Sequence, residues 1–468
     1  MERQTSITSA LDAGDRAHRS PAGRECRPPA TGGAPAAAPS QAFARRALVM
    51  ALVLCAAGVP MLPTNPMKVA GTLLAGCVLL IGGCVALRSG ESLRRSPLDA
   101  PVVIFGALAV LATVLGVHPR ASFLPSPARG DGLLDYFVFL PMALGAARLS
   151  GLEVREVLAV LLGAGALIGA AGAGQFYGFD ATRWIGNAPF DYGFRSWGTL
   201  ANPDFLGGYA ALVLPIGLAI AAGAHELHRR RWAAAASILL YAALVGSQTR
   251  SAWAASGLAT VILLSRLPRS AQVYRRLALL GLAFAAITTI MTATQPDVSL
   301  GARARSAANP LDSSMQGKLW IWRHVLPMIR ERPVLGWGFS AVAGHLPGIG
   351  APDYHRVFGD ASVLIDVAHN DILQVAVNMG LAGLAAYLWI WAVALGAARS
   401  AARRPASSLG AEAAGVFAGL AAYAVWLQFL WSHIGNANVF WVLTGIAVAL
   451  SRLEAPALTE GEYVRGPE

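Results

Sequence analysis

A polar segment, residues 295–370, interrupts a chain that otherwise consists mainly of long apolar runs. It ends in His369, Asn370 and Asp371, directly before the apolar run 372–395. A histidine at such a helix start can act as a general base near neutral pH, because the helix dipole and neighbouring carboxylates adjust its pKa. Capping of the following helix by Asn370 or Asp371 is the structural alternative.

Basic side chains in this segment favour an anionic ligand. Among them are Arg303, Arg305, Lys318, Arg323 and Arg356. Each could instead be solvated or contact a lipid headgroup.

Arg250 is a sharper candidate for anion binding. It lies in the short polar break 247–251 between two apolar runs, where only a tight turn fits. Its planar guanidinium suits a phosphate in a bidentate geometry. The alternative is an arginine that only marks the end of a helix.

The spacing of apolar residues predicts a helix over 316–332 within the polar segment. It places Leu319, Trp322, Leu326 and Ile329 on one face, so we expect the helix to lie along the membrane surface. A helix that simply packs over the membrane-spanning bundle is the alternative.

The remaining chain predicts a polytopic membrane protein. Of its 468 residues, 55% are hydrophobic and 13% are charged, and the mean hydropathy is +0.51. Apolar runs near the roughly 20 residues needed to cross a bilayer recur about twelve times. These runs begin near Ala47, Val69, Pro101, Leu133, Val157, Phe205, Ala233, Ala252, Leu277, Ile372, Val416 and Val439. We therefore expect an all-α bundle of about twelve transmembrane helices with a large exterior loop that contains short helices.

The distribution of arginines predicts the orientation of this bundle. Basic residues beside membrane spans are retained on the cytoplasmic side, and loops such as 229–231 and 399–404 are rich in them. The expected order is a disordered cytoplasmic tail 1–44, nine spans in 45–294, the exterior loop 295–370, three spans in 371–452 and a cytoplasmic tail 453–468.

Composition argues against several other functions. The net charge of +11 is scattered over helix ends, which argues against nucleic-acid binding. The exterior histidines lack metal-ligand spacing, so we expect neither a metal nor a cofactor. The spans hold almost no ionisable residues, unlike those of ion-coupled transporters, although a polysaccharide transporter or flippase stays open as an alternative.

Four segments together resemble the O-antigen ligase and O-antigen polymerase superfamily of bacterial membrane glycosyltransferases. They are residues 195–203, 247–251, 318–338 and 369–384. The resemblance implies transfer of a glycan from a polyprenyl-diphosphate carrier at the periplasmic face of the inner membrane, in lipopolysaccharide or other cell-surface polysaccharide biosynthesis.

The resemblance also implies roles for particular residues. It implies Arg250 and His369 as catalytic residues, and Arg250, Arg195, Lys318 and Arg323 as contacts of the diphosphate. Lys318 stands where the family more often has arginine, and Arg323 is the alternative for that position. The acceptor stays open between a lipid A core for a ligase, a second lipid-linked repeat for a polymerase, and a protein hydroxyl.

Overall fold

Helices account for all the regular secondary structure in the part of the chain that the structure describes, which is a computed structural model. The described residues are 39–88, 95–124, 132–180, 193–295, 298–306, 309, 311–346, 353–358, 365–404 and 407–453. The α-helices in chain order are α1 (Pro39–Val53), α2 (Val59–Met61), α3 (Asn65–Arg88), α4 (Asp99–Val114), α5 (Pro119–Phe123), α6 (Leu133–Ala146), α7 (Gly151–Phe176), α8 (Pro203–Gly223), α9 (Leu227–Ser247), α10 (Arg250–Arg266), α11 (Ala271–Thr294), α12 (Leu300–Ser306), α13 (Ser313–Glu331), α14 (Val342–His345), α15 (Tyr354–Phe358), α16 (Asp371–Ala401), α17 (Gly410–Trp426) and α18 (Ile434–Arg452). A π-helical turn, Leu54–Gly58, joins α1 to α2.

The helical and membrane-spanning character predicted from the sequence is confirmed in outline. Each of the twelve predicted runs coincides with a helix, and seven segments among the described residues are long and apolar enough to cross a bilayer. They are Ser40–Met61, Asn65–Ala86, Gly151–Phe176, Pro203–Gly223, Ala271–Thr294, Asp371–Ala401 and Ile434–Arg452. Helices α4, α6 and α17 are apolar but shorter. The count of twelve and the orientation stay predictions.

The two predicted tails lie almost entirely outside the described residues. By its contacts the chain divides into a unit Met1–Pro39 and a unit Ser40–Glu468. Helix α1 already begins at Pro39, within the predicted tail 1–44.

Helix α8 forms the centre of the Ser40–Glu468 unit. All residues of its most apolar 18-residue stretch are buried, whereas only 11% of the corresponding stretch of α11 is buried. Small residues allow close approach of its neighbours: a Cβ on Gly419 of α17 would lie 2.3 Å from the Leu212 carbonyl oxygen of α8. Such small-residue contacts are how helices associate in a bilayer, where burial of apolar surface gives little driving force.

Helix α16 is interrupted at Gly380, whose φ of 66° and ψ of −172° are not helical. The break exposes two carbonyl oxygens and two amides, and residues 333–338 bond all four. Trp337 and Gly338 donate their amides to the carbonyl oxygens of residues 377 and 378, at 2.8 and 3.0 Å. In return, the amides of residues 381 and 382 bond the carbonyl oxygens of residues 333 and 334, at 2.7 and 3.3 Å.

Helix α13 agrees with the predicted helix, and the side that packs against the protein differs from the face predicted to lie along the membrane surface, which stays a prediction. Leu319 and Leu326 are exposed, whereas the side buried against the protein is formed by other residues. These are Gly317, Trp320, Ile321, Val325 and Met328. The helix is apolar on two opposite sides, so its sequence could not show which side the protein covers.

Candidate active site

The turn between α9 and α10 presents Arg250 at the start of α10. Gln248 adopts a left-handed conformation with φ 52°, which allows the chain to reverse within two residues. The Thr249 hydroxyl donates to the Asp204 carboxylate at 3.0 Å and also lies 3.0 Å from the Pro203 carbonyl oxygen. The turn is thereby fixed to the first residues of α8.

The Arg250 guanidinium already holds an oxyanion. Its Nη2 lies 2.6 Å from Oδ1 of Asp312, and its Nη1 donates to the Ser306 hydroxyl at 2.8 Å. Both charged side chains are only 16% exposed. The hydrogen bond from Arg250 lowers the pKa of Asp312, so this carboxylate is ionised.

Arg195 forms a second pair of the same kind. Its Nη2 lies 2.6 Å from Oδ1 of Asp204, and its Nε donates to the Ser247 carbonyl oxygen at 3.0 Å. The segment that contains Arg195 is held by Gln175 of α7, whose Oε1 accepts the amides of Trp197 and Gly198 at 3.0 and 2.7 Å.

Lys318 and Arg303 complete the group of cations. Burial lowers the pKa of Lys318, Asp204 and Asp312 act in the opposite direction, and Arg250 and Arg195 lower it further. Burial, Arg195 and Arg250 likewise lower the pKa of Arg303, whose Nε donates to the Gln248 carbonyl oxygen at 3.2 Å. Because the effect of one charge on another's pKa weakens with distance, these effects place the side chains in one region of the protein.

We call this group the basic cluster. It consists of Arg195, Arg250, Arg303 and Lys318 with the carboxylates of Asp204 and Asp312. Four basic groups face two acidic ones, which leaves a formal excess of two positive charges. Such an excess in a partly dehydrated site suits a dianionic or trianionic group such as a diphosphate.

Arg323 does not join the basic cluster. It follows Lys318 by five residues on α13, which turns it by about 140° around the helix axis. Its side chain is exposed. Of the two alternatives for the second basic position, the structure therefore brings Lys318 to Arg250 and leaves Arg323 at the surface.

His369 lies at the start of α16 in a left-handed conformation with φ 47°. A non-glycine residue with such a φ has a strained backbone, and strain of this kind concentrates at functional sites. The predicted capping role of its neighbour is confirmed, because Oδ1 of Asn370 accepts the amide of Leu373 at 3.0 Å. Capping and a catalytic His369 are thus compatible, since different residues supply them.

Asn370 and Asp371 also fix the chain that packs beside His369. Asn370 donates through Nδ2 to the Gln428 carbonyl oxygen at 3.0 Å, and Asp371 accepts the amide of Ser432 at 3.0 Å. Between these two anchors lies Trp431, whose ring contacts the His369 ring edge to face at 5.0 Å. Asn370 and Asp371 therefore hold the segment 428–432, which packs Trp431 against the imidazole.

Helix α13 connects His369 to the basic cluster. One turn after Lys318, the Trp322 indole donates to the Ala368 carbonyl oxygen at 3.0 Å, next to His369. Lys318 and Trp322 are separated by about 6 Å along the helix. Trp322 thus bonds the segment just before α16, and residues 333–338, which follow α13, bond the break in α16.

Residues 207–388, which contain much of this site, match the family model of the O-antigen ligases. The O-antigen ligase match confirms the resemblance predicted from the sequence, and it includes Arg250, Lys318 and His369 but not Arg195. It spans less than half of the chain, and comparison with curated proteins finds no match. The apolar helices indicate a multi-pass membrane protein, and residues 207–388 of it are similar to the O-antigen ligases.

Sequence reasoning missed the acidic members of the site. Asp204 directly follows the recognised segment 195–203, and Asp312 opens the helix that contains Lys318. Each looks like an ordinary first-turn or capping residue in the sequence, and Asp312 does accept the Ser314 amide at 3.1 Å. Only their distance from Arg195 and Arg250 distinguishes them.

Proposed function

We propose that this protein is a glycosyltransferase of O-antigen ligase type. It moves a glycan from a polyprenyl-diphosphate carrier to an acceptor hydroxyl at the periplasmic face of the inner membrane. The observation that supports this best is the Arg250 fork, which holds a carboxylate oxygen at 2.6 Å within a basic cluster of net positive charge. A phosphate oxygen can accept a hydrogen bond from the same guanidinium nitrogen.

In the proposed reaction the acceptor oxygen attacks the anomeric carbon of the glycan. The bond from that carbon to the diphosphate oxygen breaks, and the electron pair leaves with the diphosphate. Arg250, Lys318 and Arg195 stabilise the charge that develops there, so the reaction needs no metal ion. His369 accepts the proton of the acceptor hydroxyl as the new glycosidic bond forms.

Mutation of the two proposed catalytic residues tests this mechanism. We expect Arg250→Ala and His369→Ala each to reduce glycan transfer by about 100-fold or more, because charge stabilisation and general-base catalysis each contribute on that scale. Transfer is measured with purified protein in lipid nanodiscs, a polyprenyl-diphosphate-linked glycan and the acceptor. Arg323→Ala, on the exposed side of α13, is the matched control and is expected to retain activity. Full activity of either site variant would remove that residue from the mechanism.

Ligase and polymerase differ in the acceptor and share the donor chemistry. The description of the matching family favours a ligase. Mass spectrometry of lipid-linked glycans in a strain that lacks the gene separates the alternatives: long chains on the lipid indicate a ligase, single repeats indicate a polymerase, and an unchanged pool contradicts both.

A further inference from the structure

A cavity of about 800 Å³ lies at the end of the bundle remote from the basic cluster. Its walls are formed by α1, by the last turns of α3, α6 and α18, and by the turn that leads into α7. Helix α7 begins beside the cavity and ends at Phe176, which packs with Leu300 of α12, the helix whose Ser306 bonds Arg250. Its 26 residues span roughly 39 Å, more than the roughly 30 Å of bilayer hydrocarbon. The cavity therefore lies at the membrane face that we predict to be cytoplasmic.

Most of the cavity wall is hydrocarbon, and the cavity opens sideways along α3. Leu48, Leu79 and Leu144 line its interior, whereas Leu80 and Gly83 of α3 are exposed at its opening. One water occupies about 30 Å³, and a CH₂ group is of similar size, so the cavity accommodates roughly 25 carbon atoms. An apolar space of this size that opens toward the bilayer suits acyl chains.

Close packing of α1 against two helices maintains the shape of this cavity. A Cβ on Gly82 of α3 would lie 2.9 Å from the Cβ of Ala47, and one on Gly145 of α6 would lie 2.6 Å from Cδ1 of Leu48. Small residues thus allow α1 to pack directly on both α3 and α6. The cavity is a fixed feature of the bundle, since all of its walls are packed helices.

Three arginines meet at one point of the cavity wall. Arg45 donates through Nη1 to the Arg148 carbonyl oxygen at 3.3 Å, and Nη1 of Arg452 lies 3.5 Å from the Ala147 carbonyl oxygen. Arg148 lines the cavity beside them. Because the two carbonyl groups belong to consecutive residues, the turn between α6 and α7 gathers guanidinium groups from α1 and α18.

Two of these arginines are paired with carboxylates, and the third is not. Arg45 Nε donates to Glu153 at 3.1 Å, and Arg148 Nη2 donates to Asp99 at 2.8 Å. Within the described ranges no carboxylate lies within 4 Å of Arg452, which is exposed. The group thus has a formal excess of one positive charge, and the guanidinium that supplies it is accessible. A single phosphodiester matches that excess.

We propose that this cavity binds one anionic phospholipid, with its phosphate on Arg452 and its acyl chains between α1, α3 and α6. Basic pockets between membrane-spanning helices at the cytoplasmic face attract anionic headgroups. A zwitterionic lipid such as phosphatidylethanolamine fits less well, because its ammonium group would adjoin the same three arginines. The inference does not rest on the proposed function, since this binding requires neither glycan donor nor acceptor.

The charge of Arg452 provides the first test. Native mass spectrometry of the purified full-length protein measures Kd for phosphatidylglycerol and for phosphatidylethanolamine with the same acyl chains. We expect the wild type to prefer phosphatidylglycerol about fivefold, and Arg452→Gln to abolish that preference, since one basic residue contributes on this scale. The matched control is Arg399→Gln, which removes an exposed arginine from the last turn of α16, outside the cavity, and should leave both Kd values unchanged.

Filling the cavity provides the second test. A Cβ on Gly83 meets no atom within 4 Å, so Gly83→Leu places its side chain in the opening without a clash. Gly281→Leu on α11 is the control, because Gly281 has the same open surroundings and does not line the cavity. Leucine is the better helix former, so both variants should keep the unfolding temperature of the wild type. We expect Gly83→Leu to raise both Kd values about tenfold, as if two CH₂ groups lost their contacts, and Gly281→Leu to change neither.

Several results would overturn the proposal. Equal affinity of the wild type for the two lipids would remove the headgroup contact, and so would equal effects of Arg452→Gln and Arg399→Gln. Unchanged binding by Gly83→Leu would place the lipid elsewhere on the protein. Displacement of bound phosphatidylglycerol by equimolar polyprenyl phosphate would assign the cavity to a polyprenyl chain, and a dimer that excludes lipid would assign it to a second copy of this chain.

Discussion

Replacement of Asp312 by asparagine should strengthen donor binding. In the structure the Asp312 carboxylate occupies the Arg250 guanidinium at 2.6 Å, so a diphosphate has to displace it. Arg250 stays charged in the variant, so the ion pair becomes a hydrogen bond with one charged partner, and the lost attraction between the two charges is worth about 1 kcal/mol. Asparagine thus weakens the competing contact by about 1 kcal/mol, which corresponds to a roughly 5-fold lower Kd for the donor. Asparagine also caps helices well, so the start of α13 is retained.

The assay is equilibrium binding of radiolabelled polyprenyl diphosphate to protein in nanodiscs at two salt concentrations. The gain should shrink at high salt, because ions screen partly exposed charges. Asp353→Asn adds the same charge in the same polar segment, away from the basic cluster, and should leave Kd unchanged. Weaker donor binding by Asp312→Asn would refute the reasoning, because Asp312 would then orient Arg250 for the donor and would not compete with it.

Two further predictions concern the pH dependence and the break in α16. The lowered pKa of Lys318 means that its ammonium loses the proton below the usual 10.5, so transfer should decline on the alkaline side below that pH. Lys318→Arg should move this decline upward in a pH profile of kcat/KM, and an unmoved profile would exclude Lys318 as its source. Gly380→Ala should lower the unfolding temperature in detergent, because its Cβ would lie 2.2 Å from the Val334 carbonyl oxygen at a φ of 66°. Gly396→Ala in the same helix, with no atom within 4 Å, should not, and equal effects would contradict the role of the break.

Of the basic residues predicted for the site, Arg195, Arg250 and Lys318 lie in the basic cluster and Arg323 does not, and the sequence did not indicate Asp204 and Asp312. A tight turn leaves Arg250 little freedom, so its position at a helix start followed from the polar break 247–251 alone. The choice between Lys318 and Arg323 did not follow, because both are basic residues of one amphipathic helix. That choice depends on which side of α13 faces α16, and the Trp322 to Ala368 hydrogen bond fixes that side.

The helical, membrane-embedded character of the chain could be predicted from its amino acids, because the length and hydropathy of a segment are local properties. A helix cap at Asn370 or Asp371 could also be predicted, since capping needs only neighbouring residues. Other features depend on contacts between distant residues and appear only in the folded protein. The tertiary structure placed residues 333–338 in the break of α16, turned the unpredicted side of α13 toward the protein, and paired Arg195 and Arg250 with Asp204 and Asp312. The physical reason is that ion pairs and exposed backbone groups find partners by proximity in the fold, and sequence separation does not encode that proximity.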